Sequence, residues 1–334
     1  MIFKQIMVTF ANYLRELFED MQVYRDTDAL PEFKKAVVTI GTFDGVHSGH
    51  RQIISQLNEE AAKIGGESVI ITFHPHPRRI VTDGSKSVFL LNTIEEKTAL
   101  LAEAGIDNLV ICPFTEAFSR LSAAEYITEF LLKHFKPHTI VIGYDHRFGQ
   151  GRSGDYKLLE EYSKQHGFGL KEIPAHVISE NTVSSTNIRK ALLSGDVDKA
   201  NNLLGYKFFF EGTVIEGNKL GRTIGYPTAN LDVTNPEKLV PGNGVYAVDI
   251  TIEDHKGELP VVLNTWKGMM NIGVRPTIDN SLRRTIEVNI FDFDQDIYGR
   301  KMNVTVRKFL REEKKFNGLD ALKAQLAKDK EDAA

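Results

Sequence analysis

The 334-residue sequence predicts an α/β protein in two parts: a parallel sheet covered by helices, then a small antiparallel β-barrel with a terminal helix. Three observations carry this prediction. Between Val37 and Val177, short apolar β-branched runs alternate with helical patterns, as in βαβ units whose strands are buried on both faces. After Gly205 the texture changes to short strands with turns, as in a small barrel. The first strand–helix junction is a turn rich in glycine and histidine, at the strand ends where such sheets bind ligands.

Composition narrows the classes of function. Hydrophobic residues are 42% and charged residues 26% of the chain, ordinary values for a globular protein with two cores. A formal net charge of −4 argues against nucleic acid or an anionic membrane as partner. The single cysteine excludes an internal disulfide and a cysteine zinc site; Cys112, in the apolar run Leu109-Val110-Ile111-Cys112, is expected to be an inert core residue. No apolar stretch reaches membrane-spanning length and no secretory signal is visible, so the cytoplasm is the expected compartment.

Taken in order, residues 1–20 carry Phe3, Ile6, Met7, Phe10, Leu14, Leu17 and Phe18 at helical spacing, which predicts an amphipathic helix read as a leader, with Met21 as a candidate start. Strands are expected at 37–40, 68–73, 108–112, 139–143 and 170–177, and helices at 48–64, 93–104, 122–134 and 155–166. Thr93-x-x-Glu96 and Ser122-x-x-Glu125 are capping boxes. Two short helices are expected over 187–204, as a linker between a first domain at 21–186 and a second at 205–334. In the second domain, strands are expected at 208–215, 245–253, 259–265, 284–292 and 302–310, with a hairpin turn at Asp254-His255-Lys256-Gly257. A last helix over about 317–328 would pack Leu319, Leu322 and Leu326 on the barrel and leave Lys328–Asp332 frayed.

Four loops of the first domain carry chemistry. Gly41-Thr42-Phe43-Asp44-Gly45-Val46-His47-Ser48-Gly49-His50 joins a strand to a helix; its glycines permit close backbone approach and the helix offers free N–H groups to a phosphate. His47 and His50, three apart, fall on one face of the first turn. Thr72-Phe73-His74-Pro75-His76-Pro77-Arg78-Arg79 is stiffened by two prolines, which predict an extended path presenting His and Arg to an anion. The segment 143–155 gathers glycines, arginines and aspartates suited to phosphate and ribose. Val183-Ser184-Ser185-Thr186-Asn187-Ile188-Arg189 sets hydroxyls before a helix, first of all as N-caps. In the second domain, Gly221-Arg222-Thr223-Ile224-Gly225-Tyr226-Pro227-Thr228-Ala229-Asn230 is a glycine-punctuated loop, and alternation in 284–293 sets Glu287 and Asn289 opposite Ile286, Val288 and Ile290. No Walker A string occurs.

The string G-T-F-D-G-V-H-x-G-H, with T-F-H-P-H-P, the 143–155 segment and S-S-T-x-I-R, resembles the H-x-G-H nucleotidyltransferases, and G-Y-P-T-A-N with E-V-N-I-F-D-F and Asn271-Ile272-Gly273-Val274-Arg275-Pro276-Thr277 is similar to riboflavin kinases. Together they resemble the bacterial bifunctional riboflavin kinase/FMN adenylyltransferases over about residues 21–327. The resemblance implies a Rossmann-like first domain that adenylylates FMN and a barrel that phosphorylates riboflavin, using ATP and Mg²⁺, with riboflavin, FMN and FAD as substrates and products. It implies that Gly41, Thr42, Phe43, Asp145, Ser184, Ser185 and Thr186 bind ATP in the first domain, while His47, His50 and Arg189 stabilise charge during adenylyl transfer. It assigns Phe73, His76, Pro77, Arg78 and Phe148 to the flavin, and Asn271 and Arg275 to the flavin or nucleotide of the barrel. In the barrel, Gly221 would bind ATP, Thr228 and Asn230 would reach the phosphates and Mg²⁺, and Glu287 would be the general base. His146 and Asn289 depart from the usual phenylalanine and histidine. The expected partners are these small molecules, with a monomer favoured. Two rival readings are a binding protein on a degenerate enzyme scaffold, against which the paired histidines and Glu287 argue, and an H-x-G-H enzyme for another nucleotide, against which the second domain argues.

Overall fold

The structure is a computed structural model that describes residues 21–81, 89–174, 183–217, 220–254, 261–276 and 282–334. The expected leader helix at 1–20, the strand end at 175–177, the turn residues 255–257 and Thr277 lie outside the described residues. The described residues form two compact units that divide between Ser184 and Ser185.

The first unit is a six-stranded parallel sheet. Its elements are β1 (Gln22–Tyr24), β2 (Val37–Ile40), α1 (Ser48–Ile64), β3 (Ser68–His74), α2 (Ile94–Glu103), β4 (Asn108–Pro113), a helical segment α3 at 123–135, β5 (Thr139–Gly143), α4 (Tyr156–His166) and β6 (Gly169–Ile173). The strand order is β1-β4-β3-β2-β5-β6, with every pair parallel. All four side chains of β2 are buried, as an apolar β-branched run in the middle of a covered sheet requires. The order runs one way from β2 through β3 and β4 and the other way through β5 and β6. Such a reversal opens a crevice at the carboxyl ends of β2 and β5, so the loops at 41–47 and 144–155 flank it.

Local chemistry fixes the element ends. The cap of α1 at Gly65 is left-handed, with φ 60°, a conformation glycine adopts without strain. Both capping boxes form, at Thr93–Glu96 and Ser122–Glu125. Residues 126–132 of α3 are π-helical rather than α-helical. The 74–81 loop also departs from expectation: it does not stay extended, because Pro77 opens a one-turn helix, Pro77–Val81, and the His76 ring accepts from the Arg78 N–H at 3.2 Å. Proline suits a first helical position, where its missing N–H has no helical partner. Cys112 is buried and its thiol is pushed up to about 12 by desolvation, so it stays a neutral core group.

The second unit contains α5 (Ser185–Leu193), α6 (Val197–Leu204), β7 (Phe209–Ile215), β8 (Ala229–Asp232), β9 (Gly244–Asp254), β10 (Val261–Pro276), β11 (Leu282–Ile290), β12 (Lys301–Arg311) and α7 (Leu319–Ala333). The six strands close into a barrel in the order β10-β11-β8-β7-β12-β9. Val248, Ile250, Met270, Ile272, Val288 and Val304 are fully buried at alternate positions, which marks the inward face. The helices α5 and α6 belong to this unit: Gly242 N–H donates to Leu192 O at 2.9 Å, and Asn201 bridges Phe208 N–H and Val306 O. Strand β10 is sixteen residues long, joining the expected 259–265 strand to the 271–276 segment. The last helix runs on to Ala333 instead of fraying at Lys328, because Asp329 and Ala333 are buried; Leu319, expected to pack, is exposed.

Candidate active sites

In the first unit the site grows from the end of β2. The chain turns through left-handed conformations at Phe43 (φ 46°), Gly45 (91°) and Val46 (35°) before entering α1. Non-glycine residues avoid this region, so the turn depends on its surroundings. Those surroundings are polar and buried. Lys97 Nζ donates to Thr42 O at 2.7 Å, Thr72 Oγ1 donates to the same carbonyl at 3.2 Å, and Asp44 accepts from the N–H groups of Leu91 and Asn92 at 3.0 and 3.3 Å.

His47 is the N-cap of α1. Its Nδ1 accepts from the His50 N–H at 3.3 Å, which places its ring proton on Nε2. The two imidazoles stack, with centroids 3.6 Å apart and planes 14° apart, and His50 also lies 5.0 Å from the Phe43 ring. Burial, then His47, then Lys97 push the His50 ring well below its ordinary value, so it is neutral at pH 7 and acts as a dipole. Nδ1 of His50 is buried with no hydrogen-bond partner among the described residues. The first turn of α1 carries no acidic residue, so the positive end of its dipole favours an anion there.

The other predicted residues of this unit are spread around the crevice loops. Asp145 is exposed in the loop after β5, next to His146, which burial pushes down to about 4. Phe73 and Phe148 are core residues: Phe73 packs on Phe114 and Phe118, and Phe148 stacks on Tyr126 at 5.1 Å. Pro77 and Arg78 open the one-turn helix, with His76 just before it and Arg78 exposed. Ser184 ends the first unit, while Ser185, Thr186 and Arg189 belong to α5, which opens the second.

In the barrel, strand register builds the site. Asn271 of β10 pairs with Glu287 of β11, and Glu287 pairs with Asn230 of β8. Residues directly opposite across antiparallel strands share a face, so these three form one row on the outer surface of the barrel. Gly221, Thr228, Asn230, Asn271 and Glu287 line one pocket of about 280 Å³. Gly221 is required there, because a Cβ would come 2.2 Å from Tyr226 O. Asn289 Nδ2 donates to Pro227 O at 2.6 Å, tying the loop that carries Thr228 to the strand that carries Glu287. Backbone pairing sets Arg275 of β10 opposite Arg283.

The far wall of this pocket joins the expected packing residues Leu322 and Leu326 to a charged pair that no local pattern marks. Helix α7 supplies Leu322, Leu326 and Asp329, and Phe316 precedes it. Asp329 is buried and accepts from Arg311 Nη2 at 2.6 Å, from Arg311 Nε at 2.9 Å and from Gln325 Nε2 at 2.8 Å. The Arg311 guanidinium also sits 5.7 Å from the centre of the Phe316 ring. Arginine and aspartate eighteen residues apart carry no local signal. Lys97, by contrast, falls at helical spacing between the apolar Ile94 and Leu101 on α2, a local signal that the sequence carries.

Comparison with known proteins agrees with both halves. Residues 30–187 match the FAD synthetase family and residues 204–334 match the riboflavin kinase family. The bifunctional riboflavin kinase/FMN adenylyltransferase of Escherichia coli (strain K12) is 38% identical over 294 residues, covering 88% of this chain and 90% of that protein. The protein of the same name from Listeria monocytogenes is 37% identical over 306 residues, covering 92% of this chain and 93% of that one. A crystal structure from Streptococcus pneumoniae, titled a macrolide-efflux protein, superposes with a TM-score of 0.80 at 30% identity, over 93% of this chain and 98% of that one. Its title speaks of efflux for that protein; among the described residues here, no helix is long and apolar enough to cross a membrane. Two family matches covering most of the chain, and relatives sharing more than a third of its residues over about nine-tenths of its length, place it in one family: the chain belongs to the bifunctional riboflavin kinase/FMN adenylyltransferases.

Proposed function

We propose that the chain makes FAD from riboflavin in two ATP-dependent steps, one in each unit. The observation that carries this reading is the row Asn271–Glu287–Asn230 facing one pocket, since a protein that only bound a flavin would have no use for a carboxylate there. In the barrel, Glu287 takes the proton of the riboflavin 5′-hydroxyl as that oxygen forms a bond to the ATP γ-phosphorus and the bond to ADP breaks. Thr228 and Asn230 offer a hydroxyl and an amide oxygen to the phosphates, with Gly221 allowing close approach. These hard oxygen donors fit Mg²⁺, which takes one or two protein ligands beside nucleotide phosphates. Bound there, Mg²⁺ would neutralise phosphate charge.

In the first unit, an FMN phosphate oxygen attacks the ATP α-phosphorus and pyrophosphate leaves. A phosphate monoester is already largely ionised at neutral pH, so no strong base is needed. His47 and His50 serve as hydrogen-bond donors beside the amino end of α1. The phosphate-holding role of Ser184, Ser185, Thr186 and Arg189 rests on the S-S-T-x-I-R motif alone. The unpartnered Nδ1 of His50 supports a ligand at this turn, because a buried polar nitrogen left unsatisfied is costly. Incubation of the purified protein with riboflavin and MgATP, followed by chromatography against FMN and FAD standards, tests the reading. FMN followed by FAD is expected, and a protein that binds flavin but converts none would contradict it.

A further inference from the structure

The turn after β2 is held from behind by a buried charge that neither transfer step consumes. Lys97 is 6% exposed, and its ammonium lies 2.7 Å from the Thr42 carbonyl and 3.5 Å from Thr72 Oγ1. Asp44, two residues after Thr42, is 2% exposed and is fixed by two N–H groups at the entry to α2. Together they hold the first half of a backbone stretch that is left-handed at three of four positions from Phe43 to Val46. A hydroxyl or amide would hold a carbonyl at lower desolvation cost than an ammonium, so the charge itself has a use here.

We propose that Lys97 is a positioning residue for adenylyl transfer: its buried ammonium fixes the Thr42 carbonyl, and with it the path of residues 41–47 and the aim of His47 and His50. This rests on the adenylyl-transfer reading above. The charged or titratable groups facing Lys97 are Asp44 from the turn, which favours its charge, and His50 from α1, whose protonation it disfavours; Thr72 from β3 is neutral. Burial outweighs Asp44 and brings the ammonium down to about 8. Above that pH the charge is lost, and its hydrogen bond weakens to that of a neutral amine, about half as strong. The FMN phosphate is fully ionised by then, its second pKa being near 6, so the substrate does not mimic the effect.

The test uses the full chain, with kcat/KM for FAD formation from FMN and MgATP measured from pH 6.5 to 9.5, and riboflavin phosphorylation as an internal control. The wild type is expected to fall about tenfold between pH 7.5 and 9.5. Lys97→Met is expected to be about 10–100-fold below the parent at pH 7.5, with no alkaline limb, because a misplaced turn costs rate without touching substrate. Lys97→Arg keeps its charge throughout and is expected to recover part of the rate with a flat profile. Riboflavin phosphorylation should not change. A parental rate in Lys97→Met, or an alkaline limb that persists in Lys97→Arg, overturns the proposal; the second outcome decides even if Lys97→Met fails to fold. Amide hydrogen exchange over residues 41–50 separates the proposal from the reading beneath it. Faster exchange in a folded Lys97→Met variant, with no FAD made by the wild type, would contradict adenylyl transfer alone. Unchanged exchange would overturn the role of Lys97 whatever the activity.

Discussion

The two sites are preorganised by different means. In the barrel, Asn271, Glu287 and Asn230 face one pocket because antiparallel pairing sets them side by side; the backbone ladder does the positioning. In the first unit, the turn at 41–47 has no ladder, and buried side chains from α2 and β3 hold its left-handed backbone. A ladder-built site tolerates change outside its row, whereas a turn propped by buried polar groups is sensitive to residues that never meet substrate.

The largest expected effect falls within the row. Glu287→Gln keeps the shape but takes no proton at neutral pH, and riboflavin phosphorylation should fall by about 10²–10⁴. FMN supplied directly should still become FAD. His50→Ala should lower FAD formation from FMN by about 10²–10³, since it removes a donor from a charge-stabilising site, and leave FMN formation unchanged. Because the His50 ring is already neutral at pH 7, titration of this ring should not produce an acid limb near 6.5 in adenylyl transfer.

Next in size is the wall of the barrel pocket. Asp329→Asn breaks a buried pair with Arg311 whose side chains are 2% and 14% exposed. Leaving the guanidinium without its carboxylate should lower the stability of the second unit by about 3–5 kcal/mol, read by urea unfolding, and weaken riboflavin phosphorylation more than adenylyl transfer. The smallest effect is expected from cutting the chain. A fragment 185–334 keeps α5 and α6, whose hydrogen bonds to the barrel a cut at Gly205 would discard. It should fold and phosphorylate riboflavin within a few-fold of the parent, measured by the same chromatography.

How much of this was legible follows from the range of each interaction. The limits of β2 and α1 are local: a β-branched run, a glycine stop and a break in helical periodicity mark them. The facing of Glu287 follows from strand alternation alone, without knowledge of its neighbours. The length of β10 was hidden because Gly268 looks like a break. In the barrel it is a close approach, with an added Cβ only 2.5 Å from Asn289 O. The Arg311–Asp329 pair was hidden because charges near a chain end look solvated, and only tertiary packing buries them. Lys97 lay within reach, as one cation on an apolar stripe, but what it holds is 55 residues away.

The central claim is that two separable sites act in sequence on a flavin. Mixing the two defective proteins tests it most directly. With riboflavin and MgATP, Glu287→Gln alone should make almost no FMN, and His50→Ala alone should stop at FMN. Combined in one tube, each folded, they should make FAD, because FMN released by one is taken up by the other. A mixture that makes no more FAD than either variant alone, while Glu287→Gln still converts added FMN, would contradict the account of FMN passing between two independent sites.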